Sequence, residues 1–167
     1  MGFLTGKTAI ITGGGRAVLS NGECGSIGYG IATAYAKEGA NLVLTGRNVQ
    51  KLTDAKEELE KKYGIKVLPV QADVSAGSDN EAIVQNVVKQ AIDTFGRIDV
   101  LINNAQASAS GVTIADHTTE QFDLAVYSGL YAAFYYMKAC YPYLKETKGS
   151  VCLLYTSDAA DDLTRVD

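Results

Sequence analysis

Basic clusters, long apolar runs and metal-ligand groups are all missing from this 167-residue chain. Its 15 lysines and arginines are scattered and outnumbered by 19 acids, for a net charge of −4. That removes the electrostatic footprint of a nucleic-acid binder. No apolar run approaches the length of a membrane span, and the opening "MGFLTGKTAI" lacks a signal peptide's apolar region. Gly6 stands where a myristoylation signal needs Ser or Thr. The three cysteines, Cys24, Cys140 and Cys152, are odd in number and widely spaced, which suits neither a disulfide framework nor a metal motif. They read as reduced thiols in a cytoplasmic protein. The single histidine, His117, cannot anchor zinc alone and reads as a loop or helix-entry residue. No G-x-S-x-G nucleophile elbow occurs, so a Ser/His/Asp hydrolase is not supported. Internal repeats, linkers and low-complexity segments are absent as well.

What is present is an alternation. Hydrophobic residues make up 47% and charged residues 20%, an ordinary composition for one globular domain. "TAIIT", "NLVLTG", "KVLPVQA", "IDVLINNA" and "GSVCLLY" read as five short strands. Between them lie helical windows. "IGYGIATAYAKEGA" places Ile27, Ile31, Ala34 and Tyr35 at helical spacing. "NVQKLTDAKEELEKKYG" shows Leu52, Ala55 and Leu59 to the core before stopping at Gly64. "SDNEAIVQNVVKQAIDTFG" buries Ile83, Val84, Val87, Val88, Ala91 and Ile92. A long last helix starts at a Thr118-x-x-Gln121 capping box and carries Tyr127, Tyr131, Tyr135, Tyr136, Tyr141 and Tyr143. Continuous apolar strands alternating with helices specify a parallel sheet covered on both faces. Right-handed crossovers then give an α/β doubly wound sheet of the Rossmann kind, in the order 3-2-1-4-5.

The glycines cluster where such a fold binds phosphate. Thr12-Gly13-Gly14-Gly15 follows the first strand, and Gly25-Ser26-Ile27-Gly28 opens the first helix. Glycines there let backbone amides approach a pyrophosphate, and the helix N-terminus adds a favourable dipole.

In these residues the chain resembles a classical short-chain dehydrogenase/reductase, over residues 1–151. The family's T-G-x-x-x-G-x-G motif appears in two pieces, Thr12-Gly13 and Ser26-Ile27-Gly28, separated by an extra segment, "RAVLSNGEC". "SIGYGIA" is similar to the corresponding stretch of enoyl-thioester reductases in the same superfamily. "ADVS" places Asp73 and Val74 where the family brackets the adenine, and "NNAQ" stands for the family's N-N-A-G. The resemblance implies that Asn104 and Ala105 line the adenosine ribose, that Asn103 is structural, and that Gln106, in place of glycine, narrows the pocket. Gly13, Ser26, Ile27 and Gly28 are the expected pyrophosphate contacts, ahead of Gly15 and Arg16. After the second strand an NAD enzyme offers a carboxylate to the ribose hydroxyls. Here the stretch is Leu44-Thr45-Gly46-Arg47-Asn48, with no acid and with an arginine whose planar fork suits a phosphate. NADP is therefore expected over NAD.

The family's chemistry implies a Ser, a Tyr acting as general acid or base, and a Lys four residues later that lowers the phenol's pKa. All three belong on strand five and the helix after it. Tyr141-Pro-Tyr-Leu-Lys145 has the spacing but precedes strand five, where Pro142 interrupts regular helical bonding. It is assigned no catalytic role. Ser157 lies near the family's Ser, one residue out of register, with no Tyr following in reach. The family's supporting Asn on the long helix falls at Gly129, beside Ser128.

The last stretch, residues 152–167, does not continue the family pattern. It resembles translated sequencing adapter, since Cys152 to Asp161 can be encoded by TGT-CTC-TTA-TAC-ACA-TCT-GAC-GCT-GCC-GAC. The expectation is a non-native tail on a truncated Rossmann portion of an NADP-dependent oxidoreductase, itself inactive. The whole enzyme would interconvert a small-molecule carbonyl and an alcohol as a homo-oligomer, paired through the last helix. An enoyl-thioester reductase and a non-catalytic nucleotide-binding module are the alternatives.

Overall fold

The computed structural model describes residues 2–154. Strand β1, Thr8–Thr12, is buried along its whole length, as a central parallel strand of β-branched residues should be. Its alternating side chains feed two cores. Ala9 and Ile11 join the cluster under helices α1 (Ile27–Lys37) and α2 (Val49–Tyr63). Ile10 joins the cluster on the opposite face, with Val84, Val87, Val88 and Ala91 of α3 (Asn80–Phe95) and Tyr136 and Cys140 of α5 (Ala132–Thr147). Burying a side chain such as Ile10 contributes about 1.5–3 kcal/mol.

Strands β2 (Asn41–Gly46), β3 (Val67–Gln71), β4 (Val100–Asn103) and β5 (Ser150–Leu153) complete a five-stranded sheet in the order β3-β2-β1-β4-β5, all pairs parallel. This is the doubly wound order expected from the sequence. Pro69 is tolerated because β3 is an edge strand. At the other edge β5 pairs with β4 from Val100↔Ser150 to Asn103↔Leu153, and all four of its residues are exposed. The ladder runs across the 151/152 boundary, while most of the stretch likened to adapter, residues 155–167, lies outside the described residues.

Two helices differ from expectation. Helix α1 buries Gly28, Tyr29, Ala32 and Ala36, while Ile27 is 66% exposed and Ile31 and Tyr35 pack only at the margin. The apolar spacing was right and its phase was not, because the rotation is set by Gly28 rather than by the larger side chains. The last helix begins as α4 (Thr119–Ala125) at the expected capping box, passes through a π-helical turn at Val126–Tyr131, and continues through Pro142 to Thr147. Its stripe of Tyr127, Tyr131 and Tyr135 stacks at centroid distances of 5.2 and 6.1 Å. No described helix is long and apolar enough to cross a membrane.

Candidate nucleotide-binding site

In this strand order the chain reverses direction of travel between β1 and β4, and ligands of open parallel sheets bind at the carboxyl ends of the strands there. Thr12 ends β1 at that point. Its buried hydroxyl accepts hydrogen bonds from the amides of Asn104 and Ala105, each at 2.9 Å, and its carbonyl accepts one from Asn104 Nδ2 at 2.8 Å. Gly13 follows with a φ of 72° and donates to the Thr45 carbonyl at 2.8 Å, which ties β1 to the end of β2. A Cβ on Gly28 would lie 2.2 Å from the Gly13 carbonyl oxygen and 2.6 Å from Asn104 Nδ2. Only a glycine lets α1 start this close to the strand end. Ser26 caps that helix, its Oγ accepting from the Tyr29 amide at 3.4 Å.

The extra segment leaves this junction intact. It closes on itself as a small hairpin, with a Val18↔Cys24 bridge and with the Gly25 amide donating to the Ala17 carbonyl at 2.7 Å. Arg16 anchors it. Its amide bonds the Lys51 carbonyl at 2.8 Å, and its guanidinium bonds Glu58 at 2.5 Å, which holds the Glu58 carboxyl below the usual range. The side chain of Arg16 is thus committed to α2.

Six of the residues singled out in the sequence, Gly13, Arg47, Asp73, Val74, Asn104 and Ala105, line one cavity of about 270 Å³. Ser26 and Ile27 are not in its lining. They sit at the start of α1 with Gly28, which is likewise outside the lining, and the first turn of that helix carries no acid. Burial raises the Asp73 carboxyl, but hydrogen bonds from the Ser75 hydroxyl and amide, with the charge of Arg47, outweigh it and hold the pKa below its ordinary value. Asp73 thus commits Oδ1 to its own loop. At the end of β2, Asn48 caps α2 by accepting from the Lys51 amide at 3.0 Å, and no acid accompanies Arg47. Backbone turns, a helix N-terminus and a guanidinium with no acid beside it at the end of β2 fit an adenosine nucleotide bearing phosphate.

A second, larger and mainly apolar cavity of about 1260 Å³ adjoins the first, between the β4 end and the last helix. Asn103 borders it, with its buried Nδ2 unpartnered among the described residues. Its carbonyl accepts from the Leu154 amide at 3.0 Å. Tyr141 and Lys145 line neither cavity, and Tyr141 is 63% exposed. Ser157 lies outside the described residues. Sequence reasoning named Thr12 only as part of the glycine motif and gave no role to its hydroxyl, whose amide partners lie just after β4, nor to the buried Ser128, whose Oγ accepts from the Ala107 amide at 2.9 Å. Among the described residues no group of His, Cys, Asp and Glu is placed to hold a metal, and His117 directly precedes the α4 cap.

A family model described as Enoyl-(Acyl carrier protein) reductase matches residues 22–164. The 12alpha-hydroxysteroid dehydrogenase of Clostridium sp. (strain ATCC 29733 / VPI C48-50) is 66% identical over 151 residues, 90% of this chain and 56% of that protein. The chain belongs to the short-chain dehydrogenase/reductase family. The L-sorbose reductase of Gluconobacter frateurii, solved with NADPH and L-sorbose, superposes with a TM-score of 0.77 at 32% identity, covering 90% of this chain and 52% of that one. An NAD+-bound xylitol dehydrogenase superposes with a TM-score of 0.76 at 25% identity, covering 89% and 52%. The chain spans about half the length of these relatives.

Proposed function

We propose that this chain is the nucleotide-binding portion of an NADP-dependent oxidoreductase that interconverts a carbonyl and an alcohol. The observation that carries the reading is the small cavity at the ends of β2, β3 and β4, with Arg47 in its wall and no carboxylate at the end of β2. Arg47 pairs with the 2′-phosphate, Asp73 and Val74 bracket the adenine, and Asn104 and Ala105 meet the ribose. Gly13 and the Ser26-Ile27-Gly28 turn present amides to the pyrophosphate. When bound, NADP supplies or accepts the hydride. Catalysis by a Tyr and Lys pair is not assigned to Tyr141 and Lys145, so the chain alone is expected to be inactive. NADPH oxidation with a broad panel of carbonyl compounds should stay at background.

The hydroxysteroid dehydrogenase relative favours an alcohol or ketone on a larger apolar molecule, and the mainly apolar second cavity suits one. An enoyl-thioester reductase is the second reading, favoured by "SIGYGIA" and by the description of the matching family model. Three unpaired cysteines support a reducing, cytoplasmic setting. The exposed aromatic face of the last helix supports pairing with a second copy.

The test is binding, read from NADPH fluorescence in a chain with no tryptophan of its own. NADPH should bind more tightly than NADH. Arg47→Asp should weaken NADPH by about tenfold or more and leave NADH equal or better. Equal affinity of the parent chain for both nucleotides would remove the NADP assignment. Binding of neither would remove the nucleotide reading altogether.

A further inference from the structure

The two cavities share a wall made of Val74, Asn104, Ala105 and Gln106. A ligand that starts in the small cavity and extends into the large one passes all four. Val74 and Ala105 offer only apolar surface, and Asn104 has given its Nδ2 to Thr12. Gln106 is different. Its side chain is exposed to both cavities and makes no hydrogen bond to protein among the described residues. The carboxamide thus keeps donors and an acceptor for a ligand.

Its place is set by two residues of the π-helical turn. A Cβ built on Gly129 would lie 3.6 Å from Gln106 Nε2 and 3.8 Å from its Cδ and Cγ, so the Gln106 side chain lies over a helix position that has no side chain. Anything much larger than alanine at 129 would claim the same volume. Next to it, Ser128 pins the loop. Its Oγ accepts from the Ala107 amide at 2.9 Å and lies 2.7 Å from the Leu124 carbonyl, to which the hydroxyl donates. The widened turn brings both residues to bear on the one loop, and such turns recur at functional sites.

Taking the small cavity as the adenosine site proposed above, we infer that Gln106, seated on Gly129, is a specificity-determining contact for the other half of the dinucleotide. Its carboxamide meets the ribosyl-nicotinamide part beyond the pyrophosphate, where the ligand enters the larger cavity. Ser128 acts as a positioning residue, through Ala107.

The experiment compares two ligands on the full chain, NADPH and 2′-phospho-ADP, which share the adenosine half and the pyrophosphate and differ by the ribosyl-nicotinamide part. Gln106→Ala should weaken NADPH about three- to tenfold and change 2′-phospho-ADP by less than about twofold. Gly129→Leu should reproduce that selective loss by displacing the carboxamide, and combining it with Gln106→Ala should add nothing further. Should Gly129→Leu fail to fold, the Gln106→Ala comparison decides alone. Equal losses on both ligands, or no loss on NADPH, would overturn the role of Gln106 while leaving the nucleotide site standing. A parent chain that binds neither ligand would overturn both.

Discussion

Thr12 and Asn104 hold each other across the switch point of the sheet. The Asn104 amide donates to the Thr12 hydroxyl at 2.9 Å while its side-chain amide donates to the Thr12 carbonyl at 2.8 Å. With Ala105 also donating to that hydroxyl at 2.9 Å, one oxygen satisfies two backbone amides in the wall of the smaller cavity. Thr12→Val preserves shape and removes the acceptor. An amide left unpaired at a part-buried position costs about 1–3 kcal/mol. Urea unfolding should place Thr12→Val about 2 kcal/mol below the parent, with Thr12→Ser losing about 1 kcal/mol or less. A midpoint unchanged in Thr12→Val would deny the hydroxyl its structural role.

Helix α1 offers a paired test, because two of its glycines have opposite surroundings. Gly28→Ala would put a methyl group 2.2 Å from the Gly13 carbonyl oxygen, so strand end and helix must separate. Gly30→Ala would meet nothing nearer than the Cys24 Cβ at 3.8 Å, and alanine is favoured over glycine within a helix by about 0.5–1 kcal/mol. Thermal unfolding should therefore shift down for Gly28→Ala and slightly up for Gly30→Ala. NADPH binding should fall in the first variant alone. A shift of the same sign in both would mean that the close approach does not set the rotation of α1.

That rotation also marks where sequence reading stops. The strand order and the buried faces of α2 and α3 were legible because they depend on local spacing, as in Leu52, Ala55 and Leu59. The capping box at Thr118 and Gln121 was legible for the same reason. Tyr29, 1% exposed, and Ile27, 66% exposed, reverse what apolar spacing suggested, since a contact with Gly13 decides their sides. The role of Thr12 depends on partners 92 and 93 positions away. Gln106 was read from its family position as a residue that narrows the pocket. Its seat on Gly129 exists only once loop and helix are packed together.

Self-association should trace to the last helix. Leu130 is 67% exposed, Phe134 52% and Tyr131 44%, along one apolar face. Leu130 and Phe134 also border the larger cavity, and the pairing proposed above would cover the rest of this face. Sedimentation should find the parent chain associated, and Leu130→Lys combined with Phe134→Lys should shift it toward monomer without lowering its unfolding temperature. A parent that sediments as a sharp monomer would remove the pairing proposal.

Acid should weaken the fold through Asp99, at the end of the sheet opposite the smaller cavity. Its carboxylate accepts from the Thr8 amide at 2.9 Å and from Arg97 at 2.6 and 2.8 Å, while its backbone bonds Thr8 and Ser150. Burial raises its pKa, but the Arg97 and Thr8 hydrogen bonds and the charges of Arg97 and Lys7 outweigh this and hold it below the ordinary 3.8. A carboxyl whose folded pKa lies below its unfolded one contributes stability in full above the unfolded value. It loses that contribution as pH falls through about 4 toward the folded value. Asp99→Asn should cost about 2 kcal/mol at pH 7, by removing charge-assisted bonds. It should also flatten the stability profile below about pH 4 relative to the parent. The remaining slope would come from acids such as Asp73, Glu58, Glu60 and Glu120, which are held low as well. Parallel profiles for parent and variant, in urea titrations from pH 7 downward, would show that the Asp99 cluster is not what acid attacks.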